Sequence, residues 1–408
     1  MHLSGRRYIF LLAFAPVLSA QARLSLADAV AQAIAGHPQL AVAGARAAAA
    51  EGLQRQARLS PNPRLIFQSE SSGFPGNSLV APEHDRDTYA FLAQTVETGG
   101  KRNRRVELAG ENVRRSELEL QLYRRQIASR VSIAYWAAAG ATRIEDLLRK
   151  ETESFDGVVQ FHRDRVREGA APEIDLLRIE VERDRLASGA RTAAQDAERA
   201  RIAMFREMGK AEFPPVEFVD TLEQPHPVPS LALSQVLDQR IEMKLAREAV
   251  DQARANLRLQ ESSAKPDPDV HVGFKRTGGF DTVYAAVQIP LPVWNRNQGQ
   301  VDAAAQEIKA AESSVAVTEA LVRSELETAR KEYESRQRLL DETLRPMRER
   351  ADEVYRIVEA AYRETGTDIL RLLDAERIRI ETDVAFTRTL SELQQSAVAL
   401  ETTQGSLP

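Results

Sequence analysis

Six histidines and a dense population of carboxylates are the side chains of this chain that could hold a metal ion or move protons. Their spacing argues against both. His37 and His226 flank prolines, His162 stands alone on a charged helical stretch, His271 lies on an alternating strand, and His2 falls in an N-terminal export signal. Glu83-His84-Asp85 brings three ligand types together, but consecutive residues do not converge on one ion, and the segment reads as a solvated loop. No HExxH, no Ser-His-Asp order and no nucleophile elbow occurs. No metal site, no cofactor and no catalysis are therefore expected. Gly99-Gly100-Lys101 offers glycines beside a lysine, yet it lacks the Walker spacing and the Ser or Thr after Lys that a phosphate loop needs. Gly99 and Gly100 instead suit a sharp bend from strand into helix.

The elements that carry these residues follow from composition and period. The chain has 408 residues and no cysteine, with 28% charged and 6% aromatic residues, a balance typical of long helices rather than of a sheet-rich enzyme. Its 55 basic and 60 acidic residues interleave finely, for a formal charge of −5, so no basic face for nucleic acid is expected. Arg6 and Arg7, an apolar run over 8–18 and Ala20-Gln21-Ala22 read as a signal peptide over 1–22. Without cysteine, neither a disulfide nor a lipid-modified cysteine is available.

The chain is written twice. Val106, Val113, Leu120, Ile127 and Ala134 step by seven, and Val301, Ile308, Val315, Val322 and Ala329 repeat them 195 residues later. Ser60-Pro61-Asn62-Pro63 parallels Lys265-Pro266-Asp267-Pro268, and Gly169 before Leu176-Leu177 parallels Gly366 before Leu372-Leu373. The expected organisation is a first repeat over 23–213, with a hairpin at 64–96 and long helices at 102–206. A Pro-rich linker over 214–230 precedes a second repeat over 231–408, with a hairpin at 269–289 and long helices at 298–401. Further helices are expected over 23–58 and 231–262.

The strict seven-residue period imposes a left-handed supercoil. The rod over 102–151 would be roughly 75 Å long at 1.5 Å per residue. The strands, at 64–70, 88–96, 269–275 and 282–289, alternate. Val270, Val272 and Phe274 oppose His271, Gly273 and Lys275; Val283, Ala285, Val287 and Ile289 oppose Thr282, Tyr284, Ala286 and Gln288. One apolar and one polar face suit a lipid-facing barrel with a wet lumen. Four strands cannot close a barrel, and an open edge is not tolerated in lipid, so copies must pool their strands. Three copies give twelve strands, whereas two would give eight, whose interior side chains nearly fill. The expected fold is thus mainly α with a β-barrel contribution: internally duplicated long coiled-coil helices, with four transmembrane strands per copy in a trimeric 12-stranded barrel. The segment 71–85 would be the external loop, and residues 101–105 would lie at the inner leaflet surface.

These features together resemble the TolC-like outer-membrane efflux family over nearly the whole mature chain. The matching pieces are Leu26-Ala27-Asp28-Ala29-Val30 with His37-Pro38, and Tyr362-Arg363-Glu364-Thr365-Gly366 followed by Leu372-Leu373-Asp374-Ala375-Glu376. Glu97-Thr98-Gly99-Gly100-Lys101-Arg102 is similar to the CzcC-like heavy-metal branch. The resemblance implies a passive homotrimeric duct in outer-membrane lipid, its long helices forming an α-barrel that docks through the helical tips to a periplasmic adaptor. It also implies an inner-membrane pump of the proton-driven RND type, and cargo such as cobalt, zinc, cadmium or copper. It further implies a periplasmic aperture at the turns of the long helices, Gly169 and Gly366. Asp175 and Asp374 are the aperture candidates carried over by position. Where the family has a second acid before the Leu-Asp-Ala element, this chain has Arg371, so an Arg371–Asp374 or Arg371–Asp175 pair across subunits is the expected replacement.

Three other readings compete. A multidrug or type I secretion duct would share every structural feature and differ in cargo. A periplasmic coiled-coil scaffold would account for the helices but not for the alternating strands, and an envelope hydrolase lacks a nucleophile.

Overall fold

In the computed structural model, residues 22–70, 87–223, 228–365 and 369–406 are described. The signal segment up to residue 21, the external loop with Glu83-His84-Asp85, the linker residues His226, Pro225 and Pro227, and the tip residue Gly366 lie outside them.

The elements run β1 (Ala22–Leu24), α1 (Leu26–Gly36), α2 (Pro38–Ala57), β2 (Arg64–Glu70), β3 (Asp87–Thr95), α3 (Lys101–Arg167) and α4 (Glu173–Glu207). They continue with β4 (Val216–Phe218), α5 (Leu233–Gln239), α6 (Ile241–Ser263), β5 (Asp269–Thr277), β6 (Phe280–Gln288), α7 (Gln298–Arg338), α8 (Arg345–Thr365) and α9 (Ile369–Gln404). The heptad rows form the inward seam: Ile127, Val322 and Ala329 are buried, and Val106, Val113, Leu120, Val301, Ile308 and Val315 half-buried.

Several expected boundaries are corrected. The rod is longer than 102–151, because α3 runs for 67 residues, about 100 Å at 1.5 Å per residue. Its seam continues through Phe155, Val159 and His162, all buried. It stops at Gly169 (φ +73), where Gly169 N–H donates to Val166 O and Ala170 N–H to Arg165 O, the two-bond closure that a left-handed residue permits. The stretch 23–58 is not one helix. Pro38 forces His37 into an extended conformation (φ −71, ψ 126), and the His37 ring accepts from Gln39 N–H as the cap of α2. The stretch 231–262 divides at Arg240, also extended (φ −62, ψ 127). That bend sends its guanidinium to Glu242, to Glu325 and to the carbonyl of Thr403 at the end of α9. The linker is not wholly irregular either, since β4 pairs in parallel with β1. A six-residue π-helical segment, Leu339–Leu344, interrupts the last long rod. It ends two residues before Pro346, whose ring has no N–H for a regular turn, and a widened turn is one way a helix absorbs such a residue.

The four longer strands form one antiparallel sheet in the order β2-β3-β5-β6. Register pairs Phe91 with Gly273 and Gly273 with Tyr284. A side chain at Gly273 would meet the backbone and Cβ of Phe91 at 2.4 Å, so glycine lets the Phe91 and Tyr284 rings lie over it, with centroids 5.0 Å apart. The hairpin turn is Gly278-Gly279, both at positive φ, as the expected tight glycine turn requires. Beneath the sheet the helices keep the strand order: α3 packs between α2 and α6, and α6 between α3 and α7. The main core gathers where the halves meet, around Ile127, Val131, Tyr135, Met204, Leu340, Phe386 and Leu393. There the Tyr135 hydroxyl donates to Asp220, and the same Asp220 oxygen accepts from Leu26 N–H at the start of α1.

Candidate functional site

Three places on this scaffold carry the sequence-predicted residues: the sheet faces, the junction of strand and helix, and the helical tip.

On the sheet, Leu65, Phe67, Leu92, Val272, Phe274, Val283 and Val287 share one exposed apolar face. The opposite face carries Gln68, Tyr89, Phe91, His271, Lys275, Thr282 and Tyr284, with the Lys275 ammonium 5.0 Å from the Tyr89 ring centre. Among the described residues, both outer strands, β2 and β6, leave an edge unpaired.

The junction motif is a double clasp. Gly99 (φ +66) and Gly100 (φ +75) make the bend, with Gly100 as the residue before α3. A Cβ at Gly99 would also fall 2.6 Å from the Lys265 side chain. Lys101 pairs with Asp267 at 2.7 Å and donates to Lys265 O just past the end of α6. Thr98 gives its N–H to the other Asp267 oxygen, at 2.7 Å. Arg105 grips Glu97 with two nitrogens and donates to Ala57 O and Leu59 O, while Arg102 donates to Arg58 O. The cationic side chains thus tie off the carbonyl ends of α2 and α6. These bonds account for Lys101, Arg102 and Arg105 without any ligand.

At the tip, α3 and α4 form one hairpin and α8 and α9 the other, with α3 against α9. Asp175 lies in the first turn of α4 and pairs with Arg178 at 3.8 Å. Asp374 is exposed on α9 and bonds Arg377 at 2.5 Å, three residues along the same helix. Arg371 is exposed one turn earlier on α9. Within one chain each aspartate therefore pairs on its own helix.

Two features of the tip escaped the sequence reading. His162, expected to stand alone, is 2% exposed, and its Nε2 is 2.9 Å from the Tyr362 hydroxyl, while its Nδ1 is buried with no partner among the described residues. Burial, then Arg165, push its pKa below the ordinary value, and Asp175 opposes them. The second is Glu376, 7% exposed on α9. Its neighbour Arg379 is engaged by Glu151 at 2.7 Å, is 3.8 Å from Asp383, and lies over the Tyr355 ring. Among the described residues no ion pair reaches Glu376. Burial pushes its pKa up to about 7 against the pull of Arg379, and Glu151, Glu359 and Glu182 add to the rise. Burial, then Glu376 and Glu359, likewise push the Tyr355 phenol up to about 12. The period-seven seam passes through His162, and that was the one sequence signal for its burial.

Among the described residues no group of three or more His, Cys, Asp or Glu is arranged to hold a metal ion, and no helix is long and apolar enough to cross a membrane. A two-faced sheet with open edges, continued by rods of coiled helix, defines the fold class of outer-membrane channels. The structure overlays the CmeC outer membrane channel of Campylobacter jejuni with a TM-score of 0.78 at 16% identity, covering 100% of this chain and 94% of that one. It overlays CusC at 0.77 and 16% identity, covering 93% and 92%. In sequence it is 23% identical to the cobalt-zinc-cadmium resistance protein CzcC of Cupriavidus metallidurans over 93% of this chain and 89% of that protein. Residues 29–207 match the model of the outer membrane efflux protein family. These likenesses show that the chain has the fold of those channels.

Proposed function

We propose that three copies of this chain close a 12-stranded barrel and prolong it into the periplasm as a duct that exports heavy-metal cations. The observation that carries this reading is the sheet: its apolar face is exposed and, among the described residues, both of its edges are unpaired. In lipid an open edge leaves backbone groups without partners, so the edges must be closed by further copies. Four strands from each of three chains make a barrel wide enough for a channel. The cargo reading is supported by the relationship to a cobalt-zinc-cadmium resistance protein along most of both chains. Energy would come from an inner-membrane pump of the RND type, reached through a periplasmic adaptor. The signal over 1–22 would be removed on export, and the two repeats would meet at the 214–230 linker.

The aperture would lie at the helix tips, where the turn at Gly169 and the one expected at Gly366 would bring Asp175, Arg371 and Asp374 to the duct mouth. Pairing across subunits by Arg371 would hold it narrow. Asp374→Ala and Arg371→Ala should each raise single-channel conductance in planar bilayers, and unchanged conductance removes them from the gate.

The cargo is tested by growth of a deletion strain that lacks other ducts, with and without complementation. Sensitivity confined to zinc, cobalt, cadmium or copper is the expected result. Sensitivity to dyes, detergents or antibiotics instead would reassign the duct to drug efflux.

A further inference from the structure

The two lateral edges of the chain differ in shape at one level, just below the sheet. At the β6 edge the chain leaves the strand at Gln288 and runs through Ile289-Pro290-Leu291-Pro292-Val293-Trp294 before α7. Leu291 is 78% and Trp294 88% exposed. This loop is nonetheless held firmly. Pro290 and Pro292 restrict it, and the Trp294 carbonyl accepts from the Gln298 amide. Asn297 bonds Gln260 of α6 twice, at 2.8 and 3.1 Å. Asn297 is the sole non-glycine residue with positive φ among the described residues, a conformation that costs energy and persists only where the surroundings enforce it. A pinned loop that displays an indole is a preorganised contact rather than a slack linker.

At the opposite edge, below β2, there is a groove of about 670 Å³ between α2 and α3. Leu53, Ala57, Leu59, Pro61 and Leu108 line it, and Leu53 and Leu59 are exposed. Arg105 fixes its wall by bonding the carbonyls of Ala57 and Leu59.

Strand direction relates the two edges. All pairings in the sheet are antiparallel, so β2 starts and β6 ends at the same, helix-side end. If β6 of one copy pairs with β2 of the next, the residues after Gln288 come alongside the residues before Arg64. Trp294 lies six residues beyond β6, and Pro61 and Leu59 lie three and five residues before β2. We infer that Trp294 and Leu291 of each copy seat in the neighbouring copy's α2–α3 groove, locking the ring where barrel passes into helices. This inference rests on the ring proposed above. The competing occupant is the inner leaflet of the membrane, since an exposed Trp beside an apolar strand face also suits a lipid interface.

The absence of cysteine makes the test clean. The doubly substituted Leu59→Cys, Leu291→Cys chain, treated in native membranes with a short thiol cross-linker, should give covalent dimers and trimers. These two positions lie on opposite edges of one chain and do not meet within it. In a Trp136→Phe background Trp294 is the only tryptophan. Its emission should be blue-shifted and insensitive to brominated phospholipids, and Trp294→Ala should lose SDS-resistant trimer that Trp294→Phe retains. A trimer that persists by mass but does not cross-link at 59 and 291, with Trp294 quenched by brominated lipid, overturns the inference and leaves the ring standing. A monomer in native membranes overturns both.

Discussion

His162 on α3 and Tyr362 on α8 are joined by a 2.9 Å hydrogen bond inside the helical tip, so one hairpin is tied to the other through a titratable ring. The groups that face the imidazole are Arg165 on its own helix, Asp175 on α4 and Tyr362 on α8. Burial is the largest cause of its lowered pKa. The unfolded chain takes up a proton near the ordinary 6.5, while the folded tip resists it. Stability is therefore fully present above about pH 6.5 and is lost as the pH falls from there through the lowered pKa. Melting of the purified protein in detergent from pH 8 to pH 5 should show this loss, and His162→Gln should flatten it. An unchanged profile in the variant would place the acid sensitivity elsewhere.

Glu376 has the opposite sign. Its pKa is raised to about 7 in the folded tip from the ordinary 4.5. Its contribution is therefore fully present below pH 4.5 and is lost as the pH rises through 7. Glu376→Gln keeps the shape and removes the ionisation. The variant should be more stable than the parent at pH 8, by about 1–3 kcal/mol, and indistinguishable from it near pH 4.5. A variant destabilised at both pH values would mean that the carboxylate makes a bond the amide cannot replace.

The difference between what was legible and what was not follows from range. The strands and the heptad seams are written in periods of two and seven, which the chain must satisfy locally to bury Val322 or expose Val283. Gly99, Gly100 and Gly169 announce positive φ by their own type. The His162–Tyr362 bond joins residues 200 apart and depends on how two hairpins pack, which no local pattern encodes. Arg240 breaks its helix although it is neither Gly nor Pro, because its guanidinium has partners on α7 and α9 that the sequence does not bring near it. The double clasp was half legible: the glycines promised a bend, but Asp267 as the partner of Lys101 could be read only from the fold.

That clasp predicts a coupling. Lys101 and Asp267 are partly buried and 2.7 Å apart, so removing one leaves the other charge short of its partner. Lys101→Met and Asp267→Asn should each destabilise the protein, by about 1–3 kcal/mol. The double variant should cost less than the sum of the two, because the lost interaction is shared. Denaturant unfolding of the four proteins measures the cycle, and strict additivity would mean that the pair does not act as one unit.

Gly140 and Gly157 lie in the same helix, and alanine should have opposite effects at the two positions. A Cβ at Gly157 meets nothing within 4 Å, so Gly157→Ala gains helix propensity, roughly 1 kcal/mol. A Cβ at Gly140 would fall 2.4 Å from the Cβ and Oγ of Ser391, where α3 and α9 cross and Ser391 bonds the Trp136 carbonyl. The helices must then separate, and the loss should exceed the propensity gain by about 1–3 kcal/mol. Ser391→Gly in the same chain removes the clashing Cβ and should recover part of it, whereas Ser391→Ala keeps that atom and should not. Melting temperatures of Gly157→Ala, Gly140→Ala and the two double variants decide the matter. A Gly140→Ala protein as stable as the parent would mean that the crossing is looser than the 2.4 Å approach requires.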